Sequence, residues 1–136
     1  MMSQKRIMVV DDDKEFLEEL QETLVLSGYE VKAVNEASEA FGVATKIKPD
    51  MILLDLKMKG MTGFEVINQL KNFDKTIDIP IIAMSGFFTA EEDDTLLSFF
   101  EIHNYLRKPF NPLDIITKIE TVLKENRRIN NHSHLR

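Results

Sequence analysis

Three aspartates in a row, Asp11, Asp12 and Asp13, follow directly on an apolar run in the stretch IMVVDDDKEF. Two carboxylates about 4 Å apart repel by roughly 4 kcal/mol at an effective dielectric near 20. A chain that keeps such groups together needs cations beside them. Other reactive types stand at matching places. Asp55 closes the apolar run of MILLDLKMKGMTG, Ser85 closes that of IIAMSG, and Lys108 follows the short run in YLRKPF. Each alone has an ordinary explanation. An Asp after a strand caps a helix or forms a turn, Ser85-Gly86 makes a turn, and Lys108-Pro109 sets a lysine before a kink. Together they are polar groups of complementary type at the same end of successive apolar runs. Mg²⁺ takes oxygen ligands, few carboxylates and several retained waters. Asp11, Asp12 and Asp55 form such a set, and a divalent cation with Lys108 balances their charge. A phosphoryl group arriving at one of these aspartates would meet a cation, an ammonium and a hydroxyl donor. The chemistry these residues suit is metal-assisted phosphoryl transfer.

That chemistry requires strands whose ends lie level. Five β-rich runs are legible, each followed by a helical pattern. Ile7 to Val10 reads as the first strand. Glu15 to Leu26 is helical, with Phe16, Leu17, Leu20 and Leu24 on one face, and Ser27-Gly28 ends it. Tyr29 to Val34 is the second strand. Ala37, Ala40, Phe41, Ala44 and Ile47 stripe the second helix, which Pro49 stops. Met51 to Leu54 is apolar throughout, the mark of a strand buried on both faces. Phe64, Ile67 and Leu70 stripe the third helix, and Pro80 to Met84 is the fourth strand. Thr89 and Glu92 have the spacing of a capping box. Tyr105 to Arg107 is a short fifth strand. Pro112 opens the last helix, with Ile116, Ile119 and Leu123 inward. Strict alternation of strand and helix implies an α/β fold, a parallel sheet with helices on both faces. Ligands of such sheets bind beyond the carboxyl ends of the strands, where all the reactive residues fall.

The 136 residues suit one domain with a proper core, and no repeat or internal boundary is visible. With no cysteine, disulfides and thiolate metal sites are excluded. The N-terminal apolar run is too short for a signal peptide or a membrane span, so a cytoplasmic protein without membrane contact is expected. A net charge of −6 argues against direct nucleic-acid binding. The closing stretch KENRRINNHSHLR reads as a polar tail or the start of a linker. His103, His132 and His134 have no acidic or metal-ligand partners at useful spacing, and are read as structural or solvated.

The motifs VVDDD, PDMILLDLKM, GMTGFEV, PIIAMSG and YLRKPF, in this order and spacing, resemble the receiver domain of two-component response regulators. The resemblance covers residues 5–125, with 126–136 as tail or linker. It implies a flavodoxin-like, five-stranded parallel sheet of order 2-1-3-4-5, flanked by five helices. It implies that Asp55 is the phosphoacceptor and attacks a phosphohistidine or a small acyl phosphate. Asp12 resembles the direct Mg²⁺ ligand, with Asp11 acting partly through water and nearer solvent. The backbone carbonyl of Lys57 would complete the protein's share of the metal shell. Ser85 resembles the hydroxyl that moves onto the phosphoryl group, Lys108 the ammonium that pairs with it, and Tyr105 the switch aromatic that turns inward. The Lys108-Pro109 bond is expected to be cis. Asp13 falls at the first helix's N-terminus and is expected to cap it.

The implied function is a phosphorylation-dependent signalling switch, catalysing only its own aspartyl phosphorylation and dephosphorylation. Its implied partners are a sensor histidine kinase or phosphotransfer protein, and a downstream effector protein or fused effector domain. The face of the fourth helix, fifth strand and fifth helix, roughly Thr89 to Leu123, would signal and could pair two copies as a homodimer. There are departures. Lys59 stands where proline is frequent, with the loop turning through Gly60 and Gly63. Gly86 replaces a frequent alanine, and TLLSFFEIHNY is bulkier than the usual segment. Lys57 and Phe87 occupy positions that, in similar proteins, tune phosphoryl lifetime, and Phe87 and Phe88 read equally as core or as a partner anchor. Two other readings compete. A haloacid-dehalogenase-like phosphatase would use Asp11 and Asp13, but Glu15 stands where it needs Thr or Val. A docking receiver would leave the Asp-Ser-Lys set unused.

Overall fold

The most apolar strand lies at the centre of the sheet. In the computed structural model, which describes residues 4–86 and 90–134, Met51–Asp55 forms β3 with all its residues buried. A strand with no polar face must be covered on both sides. In chain order the elements are β1 (Arg6–Val10), α1 (Lys14–Leu26), β2 (Glu30–Val34), α2 (Ala37–Ile47), β3, α3 (Gly63–Lys71), β4 (Ile81–Ser85), α4 (Ala90–Phe99), β5 (Tyr105–Arg107) and α5 (Pro112–His134). The strands form one parallel sheet in the order β2-β1-β3-β4-β5, as the resemblance implied. The chain steps from β1 outward to β2 and then crosses back to β3. Between β1 and β3 the winding direction reverses, which opens a crevice at the strands' carboxyl ends.

Alternate residues of each strand feed two cores. Ile7, Val9, Met51, Leu53, Ile82 and Met84 pack against Leu17, Leu20 and Leu24 of α1 and Ile115, Ile119 and Val122 of α5. Met8, Val10, Ile52, Leu54 and Ala83 pack against Ala37, Ala40 and Ala44 of α2, Val66, Ile67 and Leu70 of α3, and Leu97 of α4. The buried face of α2 is all alanine, so nothing bulky separates that helix from the strands.

Register sets the strand ends level. Val10 lies beside Leu54, Asp55 beside Met84, and Ser85 beside Arg107. The residues that follow therefore share one rim.

Several local expectations shift. The inward face of α5 is Ile115, Ile119 and Val122, with Ile116 and Leu123 half-buried on its flanks. In α3, Val66 takes the buried place expected of Phe64, which is half-buried at the side. Helix α2 ends at Ile47, where Lys48 takes a left-handed conformation before Pro49 is reached. The stretch 126–134, read as a polar tail, continues α5 as helix. Phe87, Phe88, the Thr89 capping box and the side chains of His132 and His134 lie outside the described residues.

Candidate functional site

Asp11 prolongs the pairing of β1 with β2 by one hydrogen bond, its N–H donating to the Val34 carbonyl at 3.1 Å. This draws its carboxylate into the protein, where it is wholly buried. Both of its oxygens are engaged. Oδ1 accepts the Asp13 N–H at 3.0 Å, and Oδ2 accepts from the Lys108 ammonium. The expectation that Asp11 lies nearer solvent is thus corrected: Asp12 is the half-buried member of the pair. Oδ2 of Asp12 accepts the Lys59 N–H at 2.9 Å. Asp13 points away and caps α1, its Oδ1 accepting the Phe16 N–H at 3.2 Å. The three adjacent aspartates hold three different positions.

Lys108 is placed by backbone and by packing. Its N–H donates to the Ser85 carbonyl at 2.8 Å, and the Lys108-Pro109 bond is cis. Its Nζ lies 3.9 Å from Asp55 Oδ1 and 4.0 Å from the centre of the Phe16 ring. A cation over an aromatic face is attracted by the ring quadrupole. Phe110 meets Phe16 edge-on at 5.8 Å, fixing that ring. The ammonium is held between an aromatic face and the rim carboxylates, with Asp11 as its direct partner.

Asp55 is 4 % exposed at the end of β3. Its carboxyl is pushed up from 3.8 to about 6. Burial is the main cause, and the charge of Asp11 adds to it; Lys108 and the Lys57 N–H oppose, and Asp12 raises it further. Lys108 alone therefore does not balance the rim. Carboxylate oxygens of Asp11, Asp12 and Asp55 lie within 4.8 Å of one another. An all-oxygen set with uncompensated negative charge fits a hard divalent cation.

The remaining expected residues surround this group. Ser85, 1 % exposed, ends β4 beside the strand that carries Asp55. Lys57 is exposed in the loop after β3. Tyr105 stands on β5 and is 41 % exposed. Gly60 has φ +80°, as a turn requires, but Gly63 serves differently. A Cβ on Gly63 would lie 2.3 Å from the Asp55 carbonyl oxygen. The absence of a side chain lets the start of α3 press against the backbone of Asp55 and Leu56. Thr62 and Glu65 close a reciprocal capping box there.

Sequence reasoning missed the bracing of Lys108 by Phe16, the close approach at Gly63 and the Lys59 N–H on Asp12. The first had a signal in the Phe16 position, three residues past the aspartates. The last had none, because any residue but proline offers a backbone N–H.

The profile of the response regulator receiver domain matches residues 7–120, and the chain belongs to this family. It is 33 % identical over 122 residues to the phosphate regulon transcriptional regulatory protein PhoB of Pseudomonas aeruginosa, covering 88 % of this chain and 52 % of that protein. It is 35 % identical over 127 residues to the transcriptional regulatory protein YvrH of Bacillus subtilis, covering 90 % and 51 %. The chain spans about half the length of the curated relatives it matches. Its fold resembles a CheY-like receiver domain protein of Methanospirillum hungatei with a TM-score of 0.86 and 28 % identity, covering 93 % of this chain and 98 % of that one. Two-component signalling is the family's function. Among the described residues, no helix is long and apolar enough to cross a membrane.

Proposed function

We propose that this domain is a phosphorylation-operated switch in which Asp55 is the phosphoacceptor. The observation that carries this is the carboxylate of Asp55, 3.9 Å from the Lys108 ammonium and clustered with Asp11 and Asp12 at the crevice. An Asp55 carboxylate oxygen attacks the phosphorus of a phosphohistidine on a sensor kinase or phosphotransfer protein, or of a small acyl phosphate. The bond from phosphorus to the leaving nitrogen or oxygen breaks, and an aspartyl phosphate remains. Bound Mg²⁺, held by Asp11, Asp12, Asp55 and the Lys57 carbonyl, would supply positive charge to the phosphoryl oxygens. Asp12 would be the direct ligand, and buried Asp11, engaged by Lys108, would act partly through water. Lys108 exchanges some of its contact with Asp11 for a phosphoryl oxygen, and Ser85 donates its hydroxyl to another. Tyr105, exposed here, turns inward as Ser85 moves.

A switch transmits only what its two states bind differently. The α4, β5 and α5 face is the surface through which an effector, a fused effector domain or a second copy reads the change. Residues 5–125 form the switching unit, with 126–136 as a polar tail or the start of a linker, and the domain works in the cytoplasm without contacting nucleic acid itself. The phosphatase reading loses its second carboxylate, since Asp13 is a helix cap directed at Phe16. Incubation with acetyl phosphate in Mg²⁺ or in EDTA, followed by intact-mass measurement, tests the proposal. Uptake should require Mg²⁺; equal uptake in EDTA contradicts the role of the metal.

A further inference from the structure

Asp12 is the least buried carboxylate of the cluster, and what steadies it comes from a distant part of the chain. Its Oδ2 accepts the Lys59 backbone N–H at 2.9 Å, across 47 residues of sequence. That N–H is presented by a fixed loop. Met58 on one side is buried in the α2–α3 core, and Gly60 on the other holds the turn with φ +80°. The donor is backbone, so the lysine side chain matters only in not being proline, which has no N–H to give.

We propose that the Lys59 N–H is a positioning group for the divalent cation. It fixes the Asp12 carboxylate through Oδ2 both before and after the cation arrives, leaving Oδ1 available to the cation. This rests on the Mg²⁺ reading given above. Groups that hydrogen-bond a metal ligand from behind commonly change metal affinity by about 10- to 100-fold when lost. A bond that had to break on metal binding would act oppositely, and its loss would tighten binding.

The comparison that tests the N–H is Lys59→Pro against Lys59→Ala, since both lose the ammonium and only the first loses the donor, while also fixing φ. Titration of each ¹⁵N-labelled variant with Mg²⁺, followed by amide shifts, gives the two dissociation constants. Lys59→Pro should bind at least about 10-fold more weakly than Lys59→Ala. Affinities within twofold, or tighter binding by Lys59→Pro, overturn the proposal. Should the proline variant lose its fold, hydrogen exchange of the wild-type Lys59 amide decides. Protection with and without Mg²⁺ supports the proposal, and exchange at open-loop rates in Mg²⁺ overturns it. Wild-type protein that shows no Mg²⁺-dependent shifts contradicts the metal reading itself, a failure distinct from that of Lys59.

Discussion

At Asp55, burial and neighbouring carboxylates act together, and Lys108 with one backbone N–H acts against them. The carboxyl keeps its proton up to about pH 6, where an unfolded chain would lose it near 3.8. Between those values the folded protein binds more protons than the unfolded one, so stability falls as pH rises through that window. At pH 7.5 the ionised group costs the fold roughly 3 kcal/mol, one pKa unit being about 1.4 kcal/mol. Without divalent cation, Asp55→Asn should therefore raise Tm at pH 7.5 and much less at pH 4, by calorimetry at both. A Tm gain that does not depend on pH would contradict this origin. Lys108 carries the opposite obligation. Its ammonium is the direct partner of a buried carboxylate, and removing one member of such a pair costs about 3–5 kcal/mol. Lys108→Met should lower the stability measured in urea by that order at pH 7.5. A variant as stable as wild type would show that Asp11 is compensated by something else.

Among the elements, two glycines near the rim have opposite meanings. A methyl group on Gly63 would meet the backbone of Asp55 at 2.3 Å, whereas one on Gly86 finds Lys108 Cβ at 3.9 Å, an ordinary contact. Gly63→Ala should push α3 away from β3 and lower both Tm and phosphoryl uptake. Gly86→Ala should leave uptake intact and stabilise by about 0.5 kcal/mol through the unfolded chain. A harmless Gly63→Ala would show that α3 yields easily. The difference between the two could not be read from sequence, because Gly63 is needed for a close approach to the backbone of Asp55 and Leu56, earlier in the chain, and not for its own φ. Other features were legible for physical reasons. β3 and β4 are buried on both faces, and an unbroken apolar run has few other uses. Asp55, Ser85 and Lys108 were legible because a parallel sheet sets all strand ends on one side. The burial order of Asp11 and Asp12 was not, since it depends on Asp11 pairing backbone with Val34 and side chain with Lys108. The inward face of α5 was misjudged by one residue because Ile115, Ile116, Ile119, Val122 and Leu123 form a stripe too broad to have one centre.

For the whole molecule, the sheet is a rigid frame and the rim is its unbalanced part. Two cores clamp the strands from both sides, while the carboxyl ends gather more negative charge than one lysine offsets. Mg²⁺ held by the folded rim, as proposed, and not by the unfolded chain should raise Tm with concentration. The rise should be larger at pH 7.5 than at pH 4.5, where protonated Asp55 no longer attracts the ion. Phosphorylation, as proposed, should bias two states of the frame by its differential contacts; Tyr105 is exposed in this structure. The most direct measurement is intact mass after brief incubation with acetyl phosphate and Mg²⁺, on wild type and Asp55→Asn side by side. The wild type should gain the mass of a single phosphoryl group and Asp55→Asn none. Full uptake by Asp55→Asn would contradict the assignment of Asp55 as phosphoacceptor.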